Sequence, residues 1–285
     1  MADEMNVLVT LNAGYLPPLK VMLWSLHANN PAEKIHLWLV HAEMTPAEVA
    51  SVEQLTTAFG WDLSNVKVTP DFVAQTPLIE RYPQEMYFRL LCGQILPATV
   101  HRVIYLDPDI VVINEIRPLW ELDLGGKMLA AAVHRGVTNL VDSVNKIRLG
   151  TTTSYFNSGV LVIDVDQARE KINAEDITAT IEKYSDLLIL PDQDILNFLY
   201  GNDILEIDEE VWNYDTRKYL IYQTRNLTQH DIHWVMQHTV LLHYCGTPKP
   251  WDASSDSKFT SLFLNYQQQV DRFVAAAEPV EEVES

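Results

Sequence analysis

Apolar positions along this chain fall into short dense runs separated by longer stretches with helical spacing. NVLVTL (Asn6–Leu11) reads as a buried strand, and the spacing from Pro17 to Ala28 reads as a helix packed against it. IHLWLVH (Ile35–His41) repeats the strand pattern. Thr45 then opens a second helix: Thr45 as N-cap, Pro46 at the first helical position and Glu48 two residues later have the form of a capping box. The pattern further predicts a short strand at Val66–Thr69, a helix from Met86 to Leu96 stopped by Pro97, and a strand at Val103–Leu106. This rhythm belongs to α/β folds, in which helices cover a mainly parallel sheet.

Beyond Asp109 the pattern loosens. Lys127–Val133, Gly159–Val165 and Val240–Tyr244 read as strands, and Gln167–Tyr184 as a surface helix. PDQDILNFLY starts a further helix, for which Asp192 is a sufficient N-cap. Glu206–Gln237 is rich in Trp, Tyr, Asn and His without a clear period and reads as loops suited to a variable binding surface. Lys258–Ala277 reads as a helix, and EPVEEVES as a disordered acidic tail. With no internal repeat and no linker, the expectation is one α/β domain with an embedded variable region.

The 285 residues are 47% apolar, enough for one large core. Acids outnumber bases 39 to 20, and the net charge of −19 disfavours nucleic acid and anionic membranes as partners. It also repels phosphorylated substrates unless a cation or a few placed bases invert the local sign. No stretch approaches the ~18 apolar residues of a membrane span. MADEMN lacks the features of a secretory signal, so a cytoplasmic location is expected. Cys92 and Cys245 form no CxxC pair, which argues against disulfide or zinc scaffolding.

The chemistry begins in VIYLDPDIVV, where Asp107 and Asp109 end an apolar strand with Pro108 between them. Carboxyl ends of parallel strands are where ligands bind in α/β sheets, and two carboxylates held by a turn suit a hard divalent ion. Two acids ending a strand at solvent would read the same. His243 ends another apolar run, either as a buried hydrogen-bonded histidine or as a third ligand; an O,O,N set suits Mn²⁺ better than Ca²⁺. Downstream, Gly246 allows close backbone approach and Lys249 supplies a point charge for phosphate. Arg89, in MYFRLL, reads by itself as half of a surface ion pair. Asn157 in YFNSGVLVID offers an amide suited to sugar hydroxyls, or a plain turn.

In sequence these elements run DPD, YFNSGVLVID, PDQDILN and HYCGTPKPW, preceded by VTLNAGYLPPLKVMLWSL and MYFRLL. Together they resemble the family 8 glycosyltransferases, retaining enzymes of GT-A fold that use nucleotide sugars, over about Asn6 to Trp251. The resemblance implies that Asp107, Asp109 and His243 bind Mn²⁺, with Mg²⁺ the alternative, and that the ion bridges the phosphates of a UDP-sugar. It places Lys249 and backbone near Gly246 on the diphosphate and Thr10, Asn12 and Tyr15 at uridine, with Leu11 and Pro108 also among the donor-binding residues. Arg89, Asn157, Asp192 and Gln193 would surround the donor sugar, with Gln193 under the anomeric carbon and Asp194 the nearby carboxylate. Here LNAGY stands where family members often carry an acid near Asn12 and an asparagine near Gly14. The implied reaction moves glucose or galactose from a UDP-hexose to a glycan, lipid-linked or protein acceptor. Residues 6–251 would form the catalytic domain, with acceptor-side loops at 75–86 and 206–237. Residues 252–277 would extend it as a helix, and 278–285 would form the tail.

Three rival readings use the same residues differently. YLDPDIV fits the DxDx[TV] of haloacid-dehalogenase-type phosphatases, with Asp107 as nucleophile and Asp109 as general acid. That motif normally lies on the first core strand, and the reading leaves His243, Gly246 and Lys249 without a role. A dinucleotide-binding dehydrogenase lacks its GxGxxG, since LNAGYLPPL has one glycine. A non-catalytic nucleotide-sugar binding protein would not need DPD, His243, Gln193 and Lys249 intact together.

Overall fold

The computed structural model describes residues 3–69, 85–133, 151–184 and 188–277. Its centre is a seven-stranded sheet with strand order β3-β2-β1-β4-β7-β6-β8. The strands are β1 (Met5–Thr10), β2 (Ile35–His41), β3 (Asp62–Lys67), β4 (Arg102–Leu106), β6 (Leu129–Val133), β7 (Phe156–Asp164) and β8 (Ile204–Ile207). The β1–β2, β2–β3, β1–β4 and β6–β8 pairs are parallel, whereas β7 runs antiparallel to both β4 and β6.

Both faces of this sheet are covered, so its strands need no polar face and their sequences read as continuous apolar runs. Side-chain alternation divides them between two cores. Val7, Val9, Ile104, Leu106, Val160 and Val162 pack on the side of the helix Leu16–Asn29. Leu8, Val103, Tyr105, Leu161 and Ile163 pack on the other side, with Ala168, Ile177 and Ile181. The second helix starts as its sequence dictates. Thr45 accepts from Glu48 N while the Glu48 carboxylate accepts from Thr45 N, and Gly60 ends the helix in the left-handed region at φ 70°.

A second, three-stranded sheet has the order β5-β10-β9, with β5 (Ile110–Val112), β9 (Tyr214–Asp215) and β10 (Leu241–His243). Its core, including Val111, Tyr214, Leu242 and Phe259, is closed by Phe263 on the C-terminal helix Thr260–Ala277. Asp107, Pro108 and Asp109 are the whole connection between β4 in one sheet and β5 in the other. The expected turn is therefore a junction between two sheets.

Several expected elements differ. The third strand is Asp62–Lys67, not Val66–Thr69, because it is the polar edge strand DLSNVK and carries little apolar signal. The expected helix Met86–Leu96 is two short helices, Glu85–Phe88 and Cys92–Ile95, and Arg89 lies in the break. Gln167–Tyr184 is likewise two helices, Val165–Lys171 and Ala174–Tyr184. Glu206–Gln237 is not a run of loops: it holds part of β8, all of β9 and the helices Glu209–Trp212, Tyr219–Arg225 and Ile232–His238, the last ending one residue beyond it. These elements are too short for a period to show. The expected loop 75–86 lies outside the described residues except for its last two, and the tail 278–285 lies wholly outside them. Among the described residues no helix is long and apolar enough to cross a membrane.

Candidate active site

The carboxyl ends of β1 and β4, the start of β7 and the end of β10 surround a cavity of about 630 Å³, within the usual range for small-ligand sites. Every residue that the sequence assigned to donor or metal binding lies on its wall. Asp194, the remaining candidate, does not.

Strand register builds the acidic centre. β10 pairs antiparallel with β5, His243 opposite Ile110, and Tyr244 N donates to Asp109 O at 3.0 Å. This brings His243 Nε2 to 3.3 Å from Asp109 Oδ1 and 3.6 Å from Asp107 Oδ2. One ligand atom from each of the three residues lies within 4.8 Å of the others. Space for the cluster comes from Gly159 on β7: a Cβ there would collide with His243 Cε1 and fall 2.7 Å from Asp107 Oδ2. Two carboxylate oxygens and an imidazole nitrogen fit a hard-to-borderline divalent ion such as Mn²⁺.

Each aspartate also has its own base. Arg89 is buried, not on the surface as its sequence context suggested, and its Nη1 lies 2.9 Å from Asp107 Oδ1. The same guanidinium donates to Ser158 O at 3.0 Å, approaches Asp192 Oδ2 at 3.6 Å and stacks over Tyr105 at 4.5 Å. Tyr105 adds a hydrogen bond of 2.6 Å to Asp107 Oδ1. Lys249 pairs with Asp109 Oδ2 and donates to Tyr244 O at 3.0 Å.

These pairs govern the ionisation of the site. Burial would lower Arg89, but Asp107 and Asp192 hold its pKa above the ordinary value. Burial would raise Asp109, but His243 and Lys249 bring it well below the usual carboxylate range. For His243, burial opposes the charged form, yet Cys245 and Asp109 raise its pKa well above normal. Burial raises Asp192, and Arg89 with the Ser158 hydroxyl offsets only part of that.

The helix Pro191–Tyr200 starts differently from its sequence reading. Leu190 occupies the cap position, and Asp192 turns inward to accept from Ser158 Oγ at 2.9 Å. The capping falls to Asp194, whose Oδ2 accepts from Ile189 N at 2.7 Å and Leu190 N at 3.1 Å, while Oδ1 accepts from Tyr155 at 2.6 Å. Asp194 is 0% exposed, so of the two acids on this turn only Asp192 faces the cavity.

At the far end of the cavity Asn12 caps a short turn, its Oδ1 accepting from Gly14 N at 3.0 Å. Tyr15 stands 36% exposed with Trp251 edge-on, 6.3 Å between centroids. Gly246 has φ +67°, and Arg217 lies over it, held by two bonds to Asp215 of 2.9 and 2.8 Å. Among the participants that the sequence reading missed are Tyr105, Asn213, whose Oδ1 faces His243 Nδ1 at 2.8 Å, and Arg217. Tyr105 read as core, and the other two fall in the stretch without a period.

Comparison with known proteins agrees with this geometry. The family model described as "Glycosyl transferase family 8" matches residues 6–255. General stress protein A of Bacillus subtilis (strain 168) is 25% identical over 271 residues, 93% of each chain. Lipopolysaccharide 1,2-glucosyltransferase of Escherichia coli (strain K12) is 26% identical over 260 residues, covering 88% of this chain and 73% of that protein. Among solved structures, galactosyltransferase LgtC in complex with donor and acceptor sugar analogs superposes with a TM-score of 0.76. It shares 26% identity over 93% of this chain and 96% of its own. With the matched residues spanning both sheets and the whole acidic centre, the chain belongs to glycosyl transferase family 8.

Proposed function

We propose that this glycosyltransferase moves a hexose, glucose or galactose, from a UDP-sugar to a hydroxyl of a glycan acceptor with retention at the anomeric carbon. The observation that carries the reading is the centre itself. Asp107, Asp109 and His243 converge within 4.8 Å, Lys249 pairs with Asp109, and these residues face one cavity together with Gln193. Asp107, Asp109 and His243 would hold the divalent ion, Mn²⁺ by their donor set. Bound there, the ion supplies a Lewis acid for the negative charge of the departing diphosphate. Lys249 and the backbone at Gly246 hold the same diphosphate, which resolves how so acidic a chain accepts a nucleotide sugar. Thr10, Leu11, Asn12 and Tyr15 take the nucleoside, with the Tyr15 ring free on one side to stack on a base.

Arg89, Asn157, Asp192 and Gln193 bind the hexose, and retention requires the acceptor oxygen to approach from the face that the diphosphate leaves. A covalent route through Asp194 finds no support in its position, since its oxygens are committed to Tyr155 and two backbone amides. The lipopolysaccharide glucosyltransferase and the LgtC complex favour a sugar hydroxyl as acceptor.

The test is a panel of UDP-hexoses, following UDP release with and without Mn²⁺. Slow hydrolysis of one donor that stops on chelation is expected. UDP release unchanged in EDTA would overturn the metal assignment, and release from none of the donors would overturn the donor class.

A further inference from the structure

Three buried or half-buried side-chain amides, Asn213, Asn157 and Gln193, link His243 to the floor of the cavity, and backbone groups set their polarity. Gly159 N–H can only donate, and it donates to Asn157 Oδ1 over 2.9 Å. Asn157 therefore turns its Nδ2 the other way, to Gln193 Oε1 at 3.1 Å. Ser158 N–H donates to the same Gln193 oxygen at 3.3 Å, which fixes that amide as well. Asn213 Nδ2 donates to Asn157 Oδ1 at 2.8 Å, leaving Asn213 Oδ1 facing His243 Nδ1, also at 2.8 Å.

An amide oxygen only accepts, so His243 carries a proton on Nδ1. The nitrogen turned to Asp107 and Asp109 is then Nε2, the one free to act as a ligand once its own proton leaves. Reversing Asn213 would set its oxygen against Asn157 Oδ1, opposing two acceptors, so the Asn157 end fixes this amide and with it the oxygen that faces His243. At the other end of the chain Gln193 Oε1 already accepts two hydrogen bonds. Gln193 thus offers the cavity its N–H donors rather than its carbonyl.

We propose that Asn213 is a positioning residue for this reaction. It selects the His243 tautomer on one side and, through Asn157, the orientation of the Gln193 amide on the other. It is 3% exposed and does not line the cavity, so it acts only through these neighbours. The inference rests on reading Asp107, Asp109 and His243 as a divalent-metal site. Partners that orient metal-bound histidines change metal affinity or activity by about 10–100-fold when removed.

The experiment measures Mn²⁺ affinity by the EPR signal of free Mn²⁺, together with donor KM and kcat, in wild type, Asn213→Leu and Asn213→Asp. Asn213→Leu removes both links and should raise the Mn²⁺ Kd by about tenfold or more. Asn213→Asp keeps an acceptor for His243 Nδ1 but loses the donor to Asn157. Its Mn²⁺ Kd should stay within about threefold of wild type while kcat falls and donor KM holds. If Asn213→Leu does not fold, Asn213→Ser takes its place with the same expectation. Equal loss of Mn²⁺ affinity in both variants, or none in Asn213→Leu, overturns the inference. Failure of the wild type to bind Mn²⁺ overturns the metal reading itself and the inference with it, and the wild-type titration separates the two.

Discussion

Lys249 and Asp109 form an ion pair on the wall of the cavity, through the carboxylate oxygen that does not face His243. Asp107 is matched in the same way by Arg89 at 2.9 Å. Each of the two acids that end β4 thus has a base of its own within the chain before any ligand arrives. Removing one partner of such a pair is costly because the other stays desolvated.

The first prediction concerns this pairing. Lys249→Gln should lower stability by about 1–3 kcal/mol, since it leaves Asp109 with a neutral neighbour in place of a charged one. Mn²⁺ should restore more of the lost Tm in the variant than it adds to wild type, because a cation on Asp109 replaces the missing charge. Melting curves with and without Mn²⁺ check this, and equal Mn²⁺ increments in both proteins would count against it.

Gly159 carries the second. Gly159→Ala places a methyl group against His243 Cε1 and Asp107 Oδ2 in ordinary strand backbone. Mn²⁺ affinity should fall by about tenfold or more, the loss expected when metal ligands are misplaced. Gly125→Ala, at φ +58° with open space around it, is the contrasting variant: backbone strain alone should cost it about 1 kcal/mol and leave metal binding intact.

Gln193 should separate binding from turnover. Its amide is fixed by Ser158 N and Asn157 and faces the cavity, whereas Lys249 and Gly246, proposed for the diphosphate, are not among its hydrogen-bond partners. Gln193→Ala is expected to reduce kcat about a hundredfold or more, the scale on which loss of one preorganised donor acts, with little change in UDP affinity. Isothermal titration with UDP beside steady-state kinetics decides it: equal losses would mean that Gln193 merely holds the nucleotide.

The raised pKa of His243 and the lowered pKa of Asp109 give the site a defined pH response. With its folded pKa raised, the His243 pairing stabilises the metal-free protein fully below the unfolded value of about 6.5. That contribution is lost as pH rises through the higher folded value. The Asp109 pairing has the opposite sign: it is present above the unfolded carboxylate value of about 3.9 and is lost as pH falls towards the depressed one. Mn²⁺ must displace the proton on His243 Nε2, so its apparent affinity should rise with pH by up to about tenfold per unit for as long as that proton is held. A calorimetric titration in buffers of different ionisation enthalpy should show about one proton released.

Local chemistry was the most legible part of this sequence. The Thr45–Glu48 capping box, the strand Ile35–His41 and the position of Asp107 and Asp109 at a strand end follow from neighbours a few residues apart, and the structure places them as read. Long-range pairing was less so. Arg89 looked like a surface base because its acids come from Asp107 and Asp192, and the break in its helix leaves no mark in MYFRLL. Asn213 is 30 residues from the histidine it orients, and a two-residue strand such as Tyr214–Asp215 has no period to detect. Asp192 and Asp194 show the remaining difficulty. Two acids on one helical turn look alike as caps, and only the packed neighbours decide that Asp194 serves the helix while Asp192 serves the site.

The reversed direction of β7 has a consequence for what the rim of the sheet can offer. Backbone N–H and C=O groups of a strand point sideways into its ladder, so those at a strand's end that find no partner there must be met by a side chain or a ligand. β7 begins at that rim, and its first turns of chain bring amide hydrogens, those of Ser158 and Gly159, among the side chains. One inverted strand thereby gives this edge two fixed donors, from which the orientations of the Asn157, Gln193 and Asn213 amides descend.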